Sequence, residues 1–84
     1  MKNLSFTHRF RSGHSVTLMM NETSPTPIFD WPKGFPPRKA IFAEYPKFIR
    51  SSMQECANAL GRTIVYVIPS KKGHTIETFR PMTQ

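Results

Sequence analysis

Three histidines and one cysteine are the side chains of this sequence that bind transition metals or act as nucleophiles most readily. They are His8, His14, Cys56 and His74, and no two of them have the C-x-x-C or H-x-x-x-H spacing of a metal site. His8 alternates with apolar residues, which indicates a structural histidine. We therefore predict neither a bound metal nor another cofactor.

Groups that could catalyse a reaction are scattered along the sequence. No two of the five carboxylates are placed to work together as general acid and base. Cys56 falls on the apolar side of a predicted helix, where a thiol packs in the core instead of reacting. The four glycines stand singly and form no phosphate-binding loop, and no G-x-S-x-G motif is present. The sequence therefore predicts a protein that is not an enzyme.

Basic residues are the chemical groups that this sequence has in excess. Twelve Lys and Arg stand against five Asp and Glu, which gives a formal charge of +7 on 84 residues. A charge of this size attracts polyanions, most often DNA or RNA and next an acidic protein surface, although small domains also carry charge for solubility alone. The residues that we expect to contact a polyanion are Arg9, Arg11, Lys47, Arg50, Lys71 and Lys72.

A second set of candidate residues lies in the proline-rich segment 22–43. Its prolines exclude a helix or a central strand through most of the segment, yet it carries several large apolar side chains. We predict an ordered, extended connection that packs some of these side chains on the domain. The alternative is an exposed hydrophobic recognition loop. The residues expected to bind a partner are Phe29, Trp31, Phe35, Arg38 and Lys39.

Alternating residues predict a β-hairpin over 4–21. The apolar members are Leu4, Phe6, His8 and Phe10 before the turn and Val16, Leu18 and Met20 after it. Only a loop of odd length places both sets on one face of the hairpin. We therefore predict a three-residue loop that pairs Phe10 with Val16, with Gly13 or a neighbour at positive φ. The opposite, polar face is expected to be open to solvent.

One helix is predicted over 45–60. Its apolar residues form one continuous stripe, which consists of Ile49, Met53, Cys56 and Leu60. Pro46 suits the first turn of a helix, where its missing N–H costs nothing, and Gly61 suits the C-terminal cap.

Segment 63–80 is predicted to form a C-terminal hairpin. Residues 63–68 are apolar on both faces, as is typical of an interior strand, and residues 74–80 form an edge strand. The order β-β-loop-α-β-β predicts a single α+β domain over 1–84. We expect a two-layer architecture with one helix packed on a mainly antiparallel sheet of three or four strands.

The sequence gives no indication of a membrane protein. No apolar stretch approaches the roughly 20 residues needed to span a bilayer, and the N-terminal residues alternate where a signal peptide would be continuously apolar. We therefore expect a cytoplasmic protein. In size, single-domain organisation and lack of catalytic groups, the chain is similar in kind to the small accessory proteins that bacteriophages and mobile elements encode.

Three classes of function are compatible with these residues, and the first is slightly preferred. It is an inhibitor or adaptor that docks on an acidic, nucleic-acid-handling protein or nucleoprotein complex, with aromatic anchors from segment 22–43. The second is a nucleic-acid-binding accessory or regulatory protein that uses its basic residues on phosphates. The third is a structural or assembly protein that self-associates through an exposed strand edge. The oligomeric state is left open.

Overall fold

The computed structural model describes residues 2–24 and 26–82, which form five strands and one helix. The strands are β1 (Asn3–Arg9), β2 (Ser15–Asn21), β3 (Ile28–Asp30), β4 (Ile64–Ser70) and β5 (Gly73–Phe79), and the helix is α1 (Arg38–Leu60). Strands β1, β2 and β3 form one antiparallel sheet in that order, and β4 and β5 form a second antiparallel sheet. The α+β class, the single helix and the antiparallel pairing are confirmed, with the strands divided between two sheets.

The helix is longer than the sequence predicts, because it begins at Arg38 instead of Tyr45. Pro46 therefore lies inside α1, where it has no N–H to donate to the carbonyl of Phe42; an interior proline costs about 3 kcal/mol. The residues before it are mostly strong helix formers, and half-buried aromatic side chains on both sides of the proline pack on the sheets. Gly61 at φ +64 forms the predicted C-terminal cap. No helix in the described ranges is long and apolar enough to cross a membrane.

The first hairpin has its apolar residues on one face, with a loop that begins one residue earlier than predicted. The N–H of Phe10 donates to the carbonyl of His14 at 2.7 Å, so that Phe10 lies opposite His14 and not opposite Val16. The loop is residues 11–13, and Gly13 occupies its third position at φ +95. A three-residue hairpin loop needs a left-handed residue at that position, which glycine adopts without steric cost. The position of Gly13 as the third loop residue thus determines which residues of β1 and β2 are paired.

The core lies between the helix and the two sheets. Its buried residues come from α1, β2, β4 and β5 and are Leu18, Met20, Ile49, Met53, Cys56, Ala57, Ile64, Ile68 and Phe79. Three residues of the predicted helical stripe, Ile49, Met53 and Cys56, are fully buried, and Leu60 packs against the same cluster. The predicted stripe is therefore confirmed as the face by which the helix holds both sheets together.

The prediction of an interior strand at residues 63–68 is wrong. Among the described residues, β4 pairs with β5 alone. Ile64 and Ile68 are buried under the helix, whereas Val65 and Val67 on the opposite face are 58% and 44% exposed. A β-branched valine suits a strand even on an exposed face, because its restricted χ1 fits the pleat and it packs on cross-strand neighbours such as Ile76 opposite Val67. An apolar residue on each face therefore does not by itself indicate a strand that is covered on both sides.

Segment 22–43 contributes one short edge strand and the first turns of the helix. Strand β3 pairs with β2, and Phe29 stands opposite Leu18 on the side that faces the core. Pro27 and Pro36 are buried. The guanidinium of Arg62, just after the helix, donates to the backbone carbonyls of Glu22 and Ser24. These contacts fasten the start of the segment to the end of α1. Pro25 lies outside the described residues.

Candidate binding surfaces

Phe35 is a large aromatic residue that the fold leaves in water. Its side chain is 69% exposed, and its ring centroid lies 4.8 Å from that of Trp31. Trp31 is half-buried and also contacts the rings of Phe10 at 5.9 Å and Tyr45 at 5.6 Å. The rings of Phe10 and Tyr45 thus hold Trp31 in the domain. Trp31 in turn supports the ring of Phe35. The fold therefore does not gain most of the roughly 1.5–3 kcal/mol that burial of a phenylalanine side chain contributes.

The backbone around Phe35 fixes the direction of its side chain. The N–H of Gly34 donates to the carbonyl of Trp31 at 3.2 Å, which closes a tight turn that brings Phe35 back onto the tryptophan. Gly34 adopts φ +85, a conformation that favours glycine. Pro36 is buried, and Pro37 precedes the helix with φ fixed by its ring. This short connection has few accessible conformations, so that Phe35 is presented by a rigid support.

Three basic residues flank the exposed ring. Lys33 lies in the turn before Phe35, and Arg38 and Lys39 form the start of α1. The guanidinium of Arg38 lies 5.6 Å from the ring centroid of Phe42. Among the described residues, none of the three basic side chains forms an ion pair. We name Trp31, Lys33, Phe35, Arg38 and Lys39 the aromatic–basic surface.

The structure places the five predicted partner-binding residues in two environments. Phe35, Arg38 and Lys39 are exposed, and the half-buried Trp31 contacts Phe35. Phe29 lies inside, where its ring contacts those of Tyr45 and Tyr66, each at 6.1 Å between centroids. Its role is therefore structural. Lys33 belongs to the same surface and was not singled out from the sequence, although its position between Trp31 and Phe35 is a signal that could have found it.

The inner aromatic rings form an uncharged wall behind this surface. Burial raises the pKa of the Tyr45 hydroxyl well above its ordinary value, and the nearby Tyr66 acts in the same direction. Burial likewise raises the pKa of Tyr66. Both hydroxyls therefore stay neutral in the physiological pH range.

A groove of about 630 Å³ lies beside the helix, near the turn between β1 and β2. Its lining residues are His8, Arg11, Ala43, Glu44, Lys47, Phe48 and Ser51. The Nε2–H of His8 donates to Oε1 of Glu44 at 2.9 Å, and the backbone N–H of Arg11 donates to Oε2 at 3.3 Å. The ring of His8 also stacks on Phe48 at 5.5 Å between centroids. His8 is thus a hydrogen-bonded structural histidine, as expected.

The electrostatics of this groove depend on Glu44. Partial burial would raise the pKa of its carboxyl, but the hydrogen bonds from His8 and from the backbone of Arg11, together with their positive charges, outweigh burial and lower it. Glu44 is therefore ionised at neutral pH. Both of its oxygens already accept hydrogen bonds from the protein.

The six predicted polyanion contacts do not form one patch. Arg11 and Lys47 line the same groove, whereas Arg9 is exposed on β1 and does not share a strand face with Arg11, which lies in the turn. Arg50 is held by Glu77, with Nε to Oε1 at 2.9 Å and Nη2 to Oε2 at 2.8 Å. This fork-shaped contact compensates its charge. The remaining pair, Lys71 and Lys72, forms the exposed turn between β4 and β5.

The outer face of the β4–β5 hairpin is apolar and uncovered. Val67 pairs with Ile76 across the two strands, and Val65 lies two residues away on the same face. Ile76 is 74% exposed. We name Val65, Val67 and Ile76 the hairpin face. Sequence reasoning missed this surface because it interpreted the apolar residues of β4 as evidence of burial.

The described residues hold no metal-binding group and no reactive thiol. No three His, Cys, Asp or Glu side chains in 2–24 and 26–82 lie close enough together to hold a metal ion. The Cys56 thiol is fully buried, and burial raises its pKa, with Arg62 opposing the shift and Glu55 adding to it. The thiol therefore stays protonated and packs as a small apolar group.

Comparison of the chain with protein-family models, with curated proteins and with solved structures found no match. The geometry of these surfaces is therefore the basis on which a function is argued.

Proposed function

We propose that this protein is a non-enzymatic adaptor or inhibitor that docks on an acidic surface of a partner protein through its aromatic–basic surface. The observation that carries the proposal is the exposed ring of Phe35, which is supported by Trp31 and flanked by basic residues that form no ion pair within residues 2–24 and 26–82. Protein interfaces concentrate their binding energy in aromatic and arginine side chains that are surrounded by polar contacts.

The surroundings of Trp31 favour a protein partner over a single-stranded nucleic acid. Proteins that bind single strands stack successive bases on several aromatic faces. Trp31 is half-buried and contacts the rings of Phe10, Tyr45 and Phe35, so part of its ring already packs within the domain. Phe35 alone offers a ring for stacking on this surface. One exposed ring on a rigid support suits insertion into a pocket better than it suits a strand of stacked bases.

The charges around Phe35 indicate the chemistry of the partner. Lys33, Arg38 and Lys39 would face like charges on a basic partner, whereas an acidic surface would pair with them as Phe35 becomes buried. Charges at the rim of an interface act mainly on the rate of association. We therefore expect association that slows as ionic strength rises, with an apolar contribution from Phe35 that salt does not weaken.

Affinity capture with matched variants tests the proposal. Wild-type protein, Phe35→Ser and Ile76→Ser are immobilised and exposed to lysate of the cells from which the protein comes, with and without nuclease treatment. Ile76 is the control, since it is an equally exposed apolar residue on another surface. We expect one protein to be retained by wild type and by Ile76→Ser and to be lost with Phe35→Ser. Equal retention by all three proteins, or retention that nuclease abolishes, would contradict the proposal.

A second candidate function, direct binding of nucleic acid, is favoured by the turn between β4 and β5. Lys71 and Lys72 make up the whole of this turn, are exposed and form no ion pair among the described residues. Such a tip can contact backbone phosphates.

Titration with short single- and double-stranded oligonucleotides tests this second function. If it holds, binding persists at physiological salt, and changing both lysines to glutamine reduces the slope of log K against log salt by about two. Binding that occurs only at low salt, or that the change of both lysines leaves unaltered, removes this candidate.

A further inference from the structure

The groove beside α1 has the size of a small-molecule site. Its volume of about 630 Å³ falls within the roughly 300–1,000 Å³ of pockets that hold small ligands. It lies between the turn after β1, which contributes Arg11, and the side of the helix that carries Glu44, Lys47 and Ser51. None of the residues of the aromatic–basic surface lines it. The groove is therefore a separate site, and a ligand can bind there whether or not the protein docks on a partner.

Two basic side chains line this groove without an ion pair in the described part of the chain, although the charge of Arg11 is close enough to lower the pKa of Glu44. Among the described residues, the guanidinium of Arg11 and the ammonium of Lys47 form no ion pair. Glu44 is the one described lining residue with a carboxylate, and its two oxygens accept from His8 and from the backbone N–H of Arg11. The carboxylate therefore holds the loop in place and is not directly paired with either cation. Each cation is therefore available to an anion that enters the groove.

The remaining lining residues define the rest of the ligand. Ser51 adds a hydroxyl that can donate a hydrogen bond, whereas Phe48 and Ala43 add an apolar wall. The Phe48 ring is fixed by its contacts with His8 and Tyr45. A guanidinium fork, an ammonium point charge and a hydroxyl together match the several oxygens of a phosphate better than the two oxygens of a carboxylate.

We propose that this groove binds a phosphate monoester, with the phosphate between Arg11 and Lys47 and the organic group against Phe48 and Ala43. The phosphate is held by charge and hydrogen bonds, and the apolar wall selects an ester over free phosphate. The hydrogen bond between His8 and Glu44 positions the turn that carries Arg11. The ligand is a free phosphorylated small molecule or the 5′-phosphate end of a nucleic acid, which share this chemistry.

Amide chemical-shift titrations measure binding to the groove directly. The probes are inorganic phosphate, phenyl phosphate, phenol and a 5′-phosphorylated trinucleotide. We expect phenyl phosphate to shift the amides of Lys47, Phe48 and Ser51 saturably, with an affinity at least about tenfold higher than that of phosphate or phenol. A higher affinity for the trinucleotide assigns the source to nucleic acid, and a lower one assigns it to a free ester.

A charge-matched pair of variants separates the groove from diffuse attraction. The double variant Arg11→Gln with Lys47→Gln keeps the backbone N–H that binds Glu44, and it should weaken phenyl phosphate at least about tenfold. The control, Lys33→Gln with Lys39→Gln, removes the same charge elsewhere and should change the affinity by less than about twofold. Shifts that do not saturate, or equal weakening by both variants, would overturn the proposal.

Discussion

The ring of Phe35 lies 4.8 Å from the ring of Trp31, yet Trp31 packs on the core of the domain and Phe35 is mostly exposed to solvent. Trp31 is enclosed by Phe10 and Tyr45 and is part of the fold. Phe35 touches the domain mainly through Trp31 and is otherwise in solvent. Trp31 is therefore part of the packed fold, whereas Phe35 leaves most of its apolar area exposed.

Substitution of these two residues should separate stability from binding. Trp31→Ala removes ring contacts on several sides, and we expect it to lower the free energy of unfolding by about 2 kcal/mol or more. Phe35→Ala removes a mostly exposed ring and should change it by no more than about 0.5 kcal/mol. Urea unfolding followed by circular dichroism measures both. Equal destabilisation by the two changes would mean that Phe35 is part of the core.

Glu44 should make the protein sensitive to acid. Although partial burial opposes it, the hydrogen bonds from His8 and the Arg11 backbone lower the pKa of this carboxyl in the folded state. A lowered pKa stabilises the fold above the unfolded value, about 4.3, and that stabilisation is lost as pH falls through the folded value. The stability advantage of wild type over Glu44→Gln should therefore shrink between about pH 5 and pH 3.

Thermal unfolding of both proteins across this range measures the effect. Glu77, whose pKa is also lowered, chiefly by the hydrogen bond from Arg50 and against the opposing effect of burial, is present in both proteins and cancels in the comparison. A stability difference between wild type and Glu44→Gln that does not vary with pH would show that the negative charge of Glu44 does not stabilise the fold.

The thiol of Cys56 should be unreactive towards thiol reagents in the folded protein. Its thiol is fully buried, and burial raises its pKa. A thiol reagent can therefore react only with molecules in which the chain has unfolded around Cys56. Labelling by a thiol-specific disulfide reagent should be about a thousandfold or more slower than that of the unfolded chain. Adding urea should accelerate labelling in parallel with unfolding. Rapid labelling without urea would place the thiol at the surface and contradict the packing of the helix.

The hairpin face should promote weak self-association. Val67 and Ile76 stand opposite each other in water, while the charge of +7 keeps copies apart. Raising the salt concentration screens that repulsion and should increase the association seen in sedimentation velocity. The double variant Val67→Thr with Ile76→Thr keeps the preference for strand conformation and should remain monomeric. A wild-type monomer at both low and high salt would exclude self-assembly through this face.

The parts of the fold that sequence reasoning predicted depend on local periodicity. The helical stripe of Ile49, Met53 and Cys56 and the single apolar face of the first hairpin follow from spacing along the chain. The helix start was misplaced because Pro46 is tolerated inside α1, where tertiary packing outweighs a local signal. The open side of β4 was misjudged because β-branched residues also suit an exposed strand face, where Val67 packs on Ile76 across the hairpin.

The sites depend on contacts between distant residues, which spacing cannot reveal. His8 and Glu44 are 36 positions apart, and Arg50 and Glu77 are 27 apart. The hydrogen bond between His8 and Glu44 fixes two residues that line the groove. The ion pair with Glu77 compensates the charge of Arg50, which is then less available to a polyanion. By contrast, the aromatic–basic surface comes from one short stretch of chain. Its proline and aromatic composition was enough to single out Trp31 and Phe35 as candidates, and their role in binding stays a prediction, whereas composition did not reveal that Phe29 packs inward.

Photo-crosslinking from position 35 tests the central claim most directly. Phe35 is replaced by benzoylphenylalanine, the control protein carries the same residue in place of Ile76, and both are irradiated in lysate of the source cells. The docking proposal predicts one crosslinked partner protein, seen from position 35, absent from position 76 and unaffected by nuclease. Crosslinks to nucleic acid alone, or a protein captured from position 76 and not from position 35, would contradict it.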